Sequence, residues 1–567
     1  MASRFGSLLA ELKRRRVYHV AVAYIVVGLG VLGAAELILD PLGLEGARPL
    51  IVVLTLLGFP LALVLAWAYE IRSEEPTLIQ PLGGEAVPSS EDFTPPKVGV
   101  AEERKAIVVL PFLNMSPDPN DAYFSDGLTE EIITQLSYLR SLRVISRSSA
   151  MALKNTQKDV RTIGRELNVQ YVMEGSVRKA GNSLRITAQL IDASSDGHLW
   201  AETYSRELED VFEIQSEIAL SVADAMQASL DVRSVERIKS RSTESLDALD
   251  AYLLGRHHVW SLTEEGMSKA KSYFERALEL DPDYASAHFG LAHWYLWAGG
   301  TAFSILPAAE AIPRGRAEAE RAITLDPDLG DAYGILALIE MSYYWDRKKA
   351  YELAKLGVER APSSGLAWTS YATVLLSLGR REESLEAVQR FAELEPLEVM
   401  SLLNVAWVNG CAGRLDKALE YAKRSVEVDS GFFGTVFLAW VFQARGEHDK
   451  AWAEFARVQD HWEAIRRTKG AWMLAYAFAR AGRLEDFEES VADLERRVAE
   501  GTAAWSEVAL AYIGVRDHER ALDYLERAPD ERPPGSNITF TLGFEPLFDP
   551  IRDHPRFQQV LKRLGLG

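Results

Sequence analysis

Hydrophobic residues first gather in two long, nearly uninterrupted runs. Residues 17–39 carry one formal charge, Glu36, and residues 50–69 carry none. Each run is long enough for a helix crossing roughly 30 Å of hydrocarbon at about 1.5 Å per residue. Tyr18, Tyr24, Trp67 and Tyr69 lie near the run ends, where an aromatic belt would place them. A cleaved signal peptide would have a shorter apolar core and a small-residue cleavage site. Two retained spans, forming a transmembrane hairpin within residues 1–72, are the expectation. Arg4, Lys13, Arg14, Arg15 and Arg16 precede the first span, whereas the intervening loop carries only Arg48. This asymmetry predicts an inner-membrane protein with its body on the cytoplasmic side; a periplasmic body is the alternative. Gly28, Gly30 and Gly33 match a dinucleotide-binding spacing, but no βαβ unit follows, so they read as close packing between spans.

The pattern then changes twice. Residues 73–103 include Pro76, Pro81, Pro88, Pro95 and Pro96 and read as a linker. From residue 104, short β-branched runs alternate with amphipathic ones. Strands are predicted over 106–112, 142–146, 171–178, 184–192 and 200–205, and helices over 125–136, 160–167 and 211–230. In the first helix Ser125 or Asp126 can cap the N-terminus, while Leu128, Ile132, Ile133 and Leu136 share a face. These elements predict an α+β domain over 104–232, followed by a polar joint at 234–245.

Beyond the joint the chain becomes self-similar. Pro282, Pro327, Pro362 and Pro396 are separated by 45, 35 and 34 residues. Gly379, Gly413, Gly446 and Gly482 are separated by 34, 33 and 36. Two residue types repeating near 34 are the mark of tetratricopeptide repeats, pairs of antiparallel helices that stack into an all-α superhelix. Ala270, Phe274 and Ala277 show the small-large-small spacing of a second helix. About eight units are expected across 245–532, the second enlarged around 301–314. Residues 533–567 are expected to cap the final face.

The segments 109–116, 123–132, 171–178 and 184–192 resemble the TolB amino-terminal-like domain, related to the FlgO type. The resemblance implies a bacterial membrane-anchored protein with this domain ahead of tetratricopeptide repeats. Some relatives also carry a winged-helix DNA-binding or a class III adenylate cyclase domain. It implies no catalytic residues.

The residues themselves offer little chemistry. Asp126, Glu130, Glu131, Glu174, Asp192 and His198 are the polar candidates of the α+β domain. The first three read as helix N-terminal charges rather than a general acid–base pair. No His or Cys stands at metal-ligand spacing, and Cys411 is the lone cysteine. No phosphate-binding loop or nucleophile elbow occurs, so no enzymatic activity, cofactor or metal is expected.

Groove-facing positions on the first helices of the repeats are the candidate site. Counting from Asp331, Gly365, Val399 and Phe433 selects Thr369, Thr373, Leu403, Trp407 and Phe437, with Phe289 and His293 equivalent in the second repeat. Trp407 or Phe437 could anchor a peptide or helix; Trp407 could equally be a packing residue. With 62 basic against 82 acidic residues the net charge is −20, which argues against nucleic acid and favours basic or mixed-charge partners. The expectation is therefore a non-enzymatic, membrane-anchored scaffold that binds proteins or peptides in the groove. The alternative is a signal-sensing or regulatory subunit whose α+β domain binds a small molecule or envelope component. The oligomeric state is left open.

Overall fold

The computed structural model describes residues 104–118, 121–259, 263–301, 305–428, 431–466, 468, 470–529, 539 and 541–566. Both expected spans and the proline-rich linker lie outside these residues. Among the described residues no helix is long and apolar enough to cross a membrane.

The first described region is a mixed sheet with helices. Its strands are β1 (Lys105–Val109), β2 (Leu113–Asn114), β3 (Leu142–Val144), β4 (Tyr171–Ala180), β5 (Ser183–Asp192) and β6 (Gly197–Glu207). Their order is β3-β1-β4-β5-β6, with β2 beside β4. β1 runs parallel to both β3 and β4, and β4, β5 and β6 form an antiparallel meander. The domain is thus α/β in its first half, a correction to the α+β expectation. Parallel neighbours need crossovers, which helices α1 (Ala122–Ser137), α2 (Arg147–Met151) and α3 (Val160–Leu167) supply. Ile107, Val108 and Val109 are consecutive and fully buried, as are Val172 and Met173, so the sheet centre is covered on both faces. In β5 burial alternates through Leu184, Ile186, Ala188 and Leu190, which leaves the other face open. Helix α4 (Val211–Ala225) packs beside α1.

Two local expectations are revised. Helix α1 starts at Ala122, so Ser125 and Asp126 lie inside it, buried, and neither caps it. Phe124 is the reason: it is a core residue and holds the preceding turn in the helix. Where only a polar joint was expected, α5 (Val232–Lys239) forms, its N-terminus capped by Asp231 accepting from the Ser234 amide at 2.8 Å.

Paired helices follow: α6 (Leu246–Val259) with α7 (Glu264–Leu280), α8 (Ala285–Leu296) with α9 (Ala308–Leu325), and α10 (Gly330–Ile339) with α11 (Arg347–Arg360). Next come α12 (Gly365–Ser377) with α13 (Arg381–Leu394), α14 (Val399–Cys411) with α15 (Leu415–Val428), and α16 (Phe432–Ala444) with α17 (His448–Arg457). After the short α18 (Trp462–Arg466), α19 (Ala471–Arg480) pairs with α20 (Leu484–Ala499), and α21 (Trp505–Gly514) with α22 (His518–Leu525). Of the region 301–314, expected as an insertion, residues 308–314 form the first part of α9, which carries Pro313 within it. Ala270, Phe274 and Ala277 are fully buried at the first stacking interface. A Cβ on Gly127 would clash with the Leu253 side chain, so α1 crosses α6 closely and joins the sheet to the first repeat.

The C-terminal segment does more than cover the last repeat. Helix α23 (Pro555–Arg563) is tied to the last repeat by Arg556, which bridges Glu519, Asp523 and Glu526. The same segment also reaches far back: Arg347 of α11 donates to the carbonyls of Leu564 and Gly565, and Arg381 of α13 lies over the Phe544 ring.

Candidate functional site

The α/β domain sits on a row of proline corners that end successive repeats. At the Pro327 corner, Asp326 and Asp328 pair with Arg237 and Arg233 of α5. At the Pro362 corner, Ser363 donates to the Leu142 carbonyl at 3.4 Å, and Arg140 donates to the carbonyl of Glu359 just before it. At the Pro396 corner the Ser146 amide donates to the Leu394 carbonyl at 3.1 Å, and the Leu397 amide donates to Ser149 Oγ at 3.0 Å. Arg143 donates to the Glu393 carbonyl at 2.8 Å. The repeat period brings these corners to one edge, and strand β3 with helix α2 lies along it.

This docking roofs part of the concave groove. A cavity of about 530 Å³ opens between α1, α2 and the first helices of the repeats. All seven groove candidates line it. Phe289 and His293 come from α8, Thr369 and Thr373 from α12, Leu403 and Trp407 from α14, and Phe437 from α16. From the facing side come Ile133 and Ser137 of α1 and Arg147 of α2, while Glu545 closes the C-terminal end. Trp407 is 5% exposed and Leu403 1%, so each shows the cavity only an edge of its side chain. Phe437 is half-buried and packs against Trp440.

The electrostatics have two parts. At the roof, the buried Glu130 pairs with Arg147 at 2.7 Å and with Arg256 of α6. Burial opposes the Arg256 charge, but Glu130 and the Tyr252 hydroxyl outweigh it and hold the guanidinium protonated. Asp126 pairs with Lys154 at 2.7 Å. Asp126 and Glu130, expected as helix N-terminal charges, are thus interior ion-pair partners. Farther along, carboxylates predominate. Burial, with Glu398 nearby, pushes Glu395 up to about 8. Burial likewise pushes Glu545 up to about 7, although its Oε1 accepts from the Trp440 indole at 3.1 Å. Burial depresses His293 to about 3, so the ring is neutral, packed on Phe289 and edge-on to Trp297. Among the described residues no three His, Cys, Asp or Glu side chains converge as a metal site would need.

Sequence reasoning missed Arg147, Arg256, Glu395 and Glu545, and read Glu130 only as a helix N-terminal charge. A signal existed for one of them. The residue before the corner proline is Asp281, Asp326 and Glu395 in three repeats. In the structure Asp281 accepts from Thr243, Asp326 from Arg237, and Glu395 faces α2. Acids at that repeat position mark where other elements dock.

Residues 103–220 match the family described as HilA/YgeH-like transcriptional regulator, second domain. Residues 267–284 match the tetratricopeptide repeat family. A curated relative, putative adenylate cyclase 3 of Rhizobium meliloti strain 1021, is 39% identical over 229 residues, or 40% of this chain. The chain spans little more than a third of that relative, 37% of its length. Among solved structures, a thermophilic tetratricopeptide protein of Thermus thermophilus is 19% identical. The match covers 32% of this chain and 92% of that one, with a TM-score of 0.28. PilW, a widely conserved type IV pilus biogenesis factor, is 13% identical over 38% of this chain and 94% of its own, with a TM-score of 0.30. The tetratricopeptide match and the stacked helix pairs agree: the helical body of this chain is a tetratricopeptide-like superhelix, preceded by an α/β domain with a mixed sheet.

Proposed function

We propose that this chain is a non-enzymatic scaffold, held at the inner membrane by a hairpin over 17–39 and 50–69, that gathers partner proteins in its repeat groove on the cytoplasmic side. The observation that carries the reading is the convergence of Phe289, His293, Thr369, Thr373, Leu403, Trp407 and Phe437 on one cavity. A groove of aromatic and small polar side chains on rigid helices suits recognition of a peptide or helix. The test is a photo-crosslinking amino acid placed at Thr369, or at Glu420 as an outward control, in the full chain in native membranes. A partner adduct formed at Thr369 and not at Glu420 supports groove binding. Equal adducts at both positions, or none at Thr369, refute it.

A second reading has its own support. The α/β domain supplies one wall of the cavity, and its family match and the cyclase-named relative both point to regulatory proteins. The chain would then be a regulatory subunit, with a ligand of the α/β domain altering how that domain sits on the groove. Thermal shift of the full chain against a metabolite panel separates the two readings, since a ligand of the native state raises the melting temperature.

A further inference from the structure

We propose that the cavity selects an extended partner segment bearing Lys or Arg between apolar residues, and disfavours acidic or carboxylate-terminated segments. This rests on the scaffold reading above and assigns its ligand a chemistry. Asp331, Glu395, Glu398, Glu507 and Glu545 all line the cavity. Facing them are the guanidiniums of Arg147 and Arg256, which share Glu130 as an ion-pair partner. The imidazole of His293 adds no positive charge. The described lining therefore holds more carboxyl than basic groups.

Two of these carboxyl groups each keep one oxygen without a hydrogen-bond partner. Glu395 is 8% exposed and Glu545 is fully buried, and the Oε2 atom of each has no hydrogen-bond partner. Burial favours the protonated form of both carboxyls, and an ammonium or guanidinium brought beside them would favour the carboxylate and pair with it in charge-assisted form. Aromatic walls reinforce the preference. Phe433 and Phe437 line the same space, and ring faces attract cations once water is excluded. The lining extends from α8 to α21, far beyond the reach of one small organic cation, and an extended chain can place basic and apolar side chains along it.

A displayed library of random dodecapeptides, selected on the full detergent-solubilised chain, tests this. Bound peptides are sequenced, then measured on the chain itself, on the double variant Glu395→Gln/Glu398→Gln, on Asp331→Asn, and on Phe437→Ala. The expected result is enrichment of Lys and Arg among peptides that lose affinity on Phe437→Ala. Their binding to either charge variant should weaken by at least about tenfold. Groove-dependent peptides that are acidic or uncharged overturn the charge preference and leave the scaffold standing. Lys-rich and Arg-rich peptides that bind every variant equally remove the cavity from the interaction. If no enriched peptide responds to Phe437→Ala, the scaffold reading and this proposal fall together.

Discussion

The backbone amide of Ser146 donates to the carbonyl of Leu394 across 3.1 Å, joining the first turn of α2 to the C-terminus of α13. Leu394 ends its helix before Pro396, so its carbonyl has no intrahelical donor and is free to accept from another element. The sheet and the superhelix are therefore coupled through atoms that helix termination leaves over, a pattern that recurs along the row of corners.

That coupling should be breakable. Arg237 pairs with Asp326 and stacks over Tyr138, and both groups are mostly buried. Arg237→Ala should cost about 1–3 kcal/mol and speed amide exchange in α5 and at the C-terminal end of α1. Exchange within α19 to α22 should stay unchanged. Uniform acceleration across the chain would show that the corner contacts do not define a separable interface.

Glu130 is the hub of the roof. Glu130→Gln leaves two mostly buried guanidiniums without their carboxylate and should destabilise the chain by about 3 kcal/mol. Adding Arg256→Met to that change removes one of the stranded charges and should recover part of the loss. Urea midpoints of the two variants check the sign of the second step.

Stability should fall as pH rises across the neutral range. Glu395 is pushed up to about 8 and Glu545 to about 7, from an ordinary value of 4.5. The folded chain therefore keeps protons that the unfolded chain has released. This contribution is complete below about pH 4.5 and disappears as pH climbs through about 7 to 8. Glu398 and Arg147 face Glu395, while Arg552 and Asp549 face Glu545, and burial outweighs them at both sites. Melting temperature followed from about pH 5 to 8.5 should decline in the parent chain and decline less in Glu395→Gln and Glu545→Gln.

Gly410 tests the floor of the groove. A Cβ there would lie 2.5 Å from the Trp440 ring, whose indole bonds Glu545. Gly410→Ala should overpack the site by about 1–3 kcal/mol and loosen the C-terminal segment. Proteolysis near residue 545, compared between variant and parent, reads that loosening directly.

Much of this architecture is legible from residues alone. Helix α3 spans the predicted 160–167, and the wholly buried Ile107–Val109 run announces a strand covered on both sides. The helix pairs follow from the proline and glycine period, because each marker ends an element for a local reason. The seven positions chosen by counting within repeats line one cavity, since a rigid stack carries register faithfully. What stayed hidden depends on distant contacts. Asp126 and Glu130 look like N-terminal charges if α1 starts at Ser125, and nothing nearby shows that Phe124 moves that start upstream. Glu130 meets Arg256 across 126 positions of sequence, and no local pattern encodes such a pairing. Parallel pairing of β1 with β4 is likewise a property of the assembled sheet.

The bond from Arg347 to the Leu564 and Gly565 carbonyls closes a loop of 218 residues. An open repeat array behaves as a chain of neighbours, each unit folding on the one before it. Here the third repeat is completed only when residues 564 and 565 arrive, so the array gains a long-range contact of the kind that slows folding and raises cooperativity. During synthesis, the guanidinium of Arg347 must wait in an unfinished pocket until residues 564 and 565 have emerged. The superhelix is thereby clasped from its third repeat to residues 564 and 565, across all the repeats between.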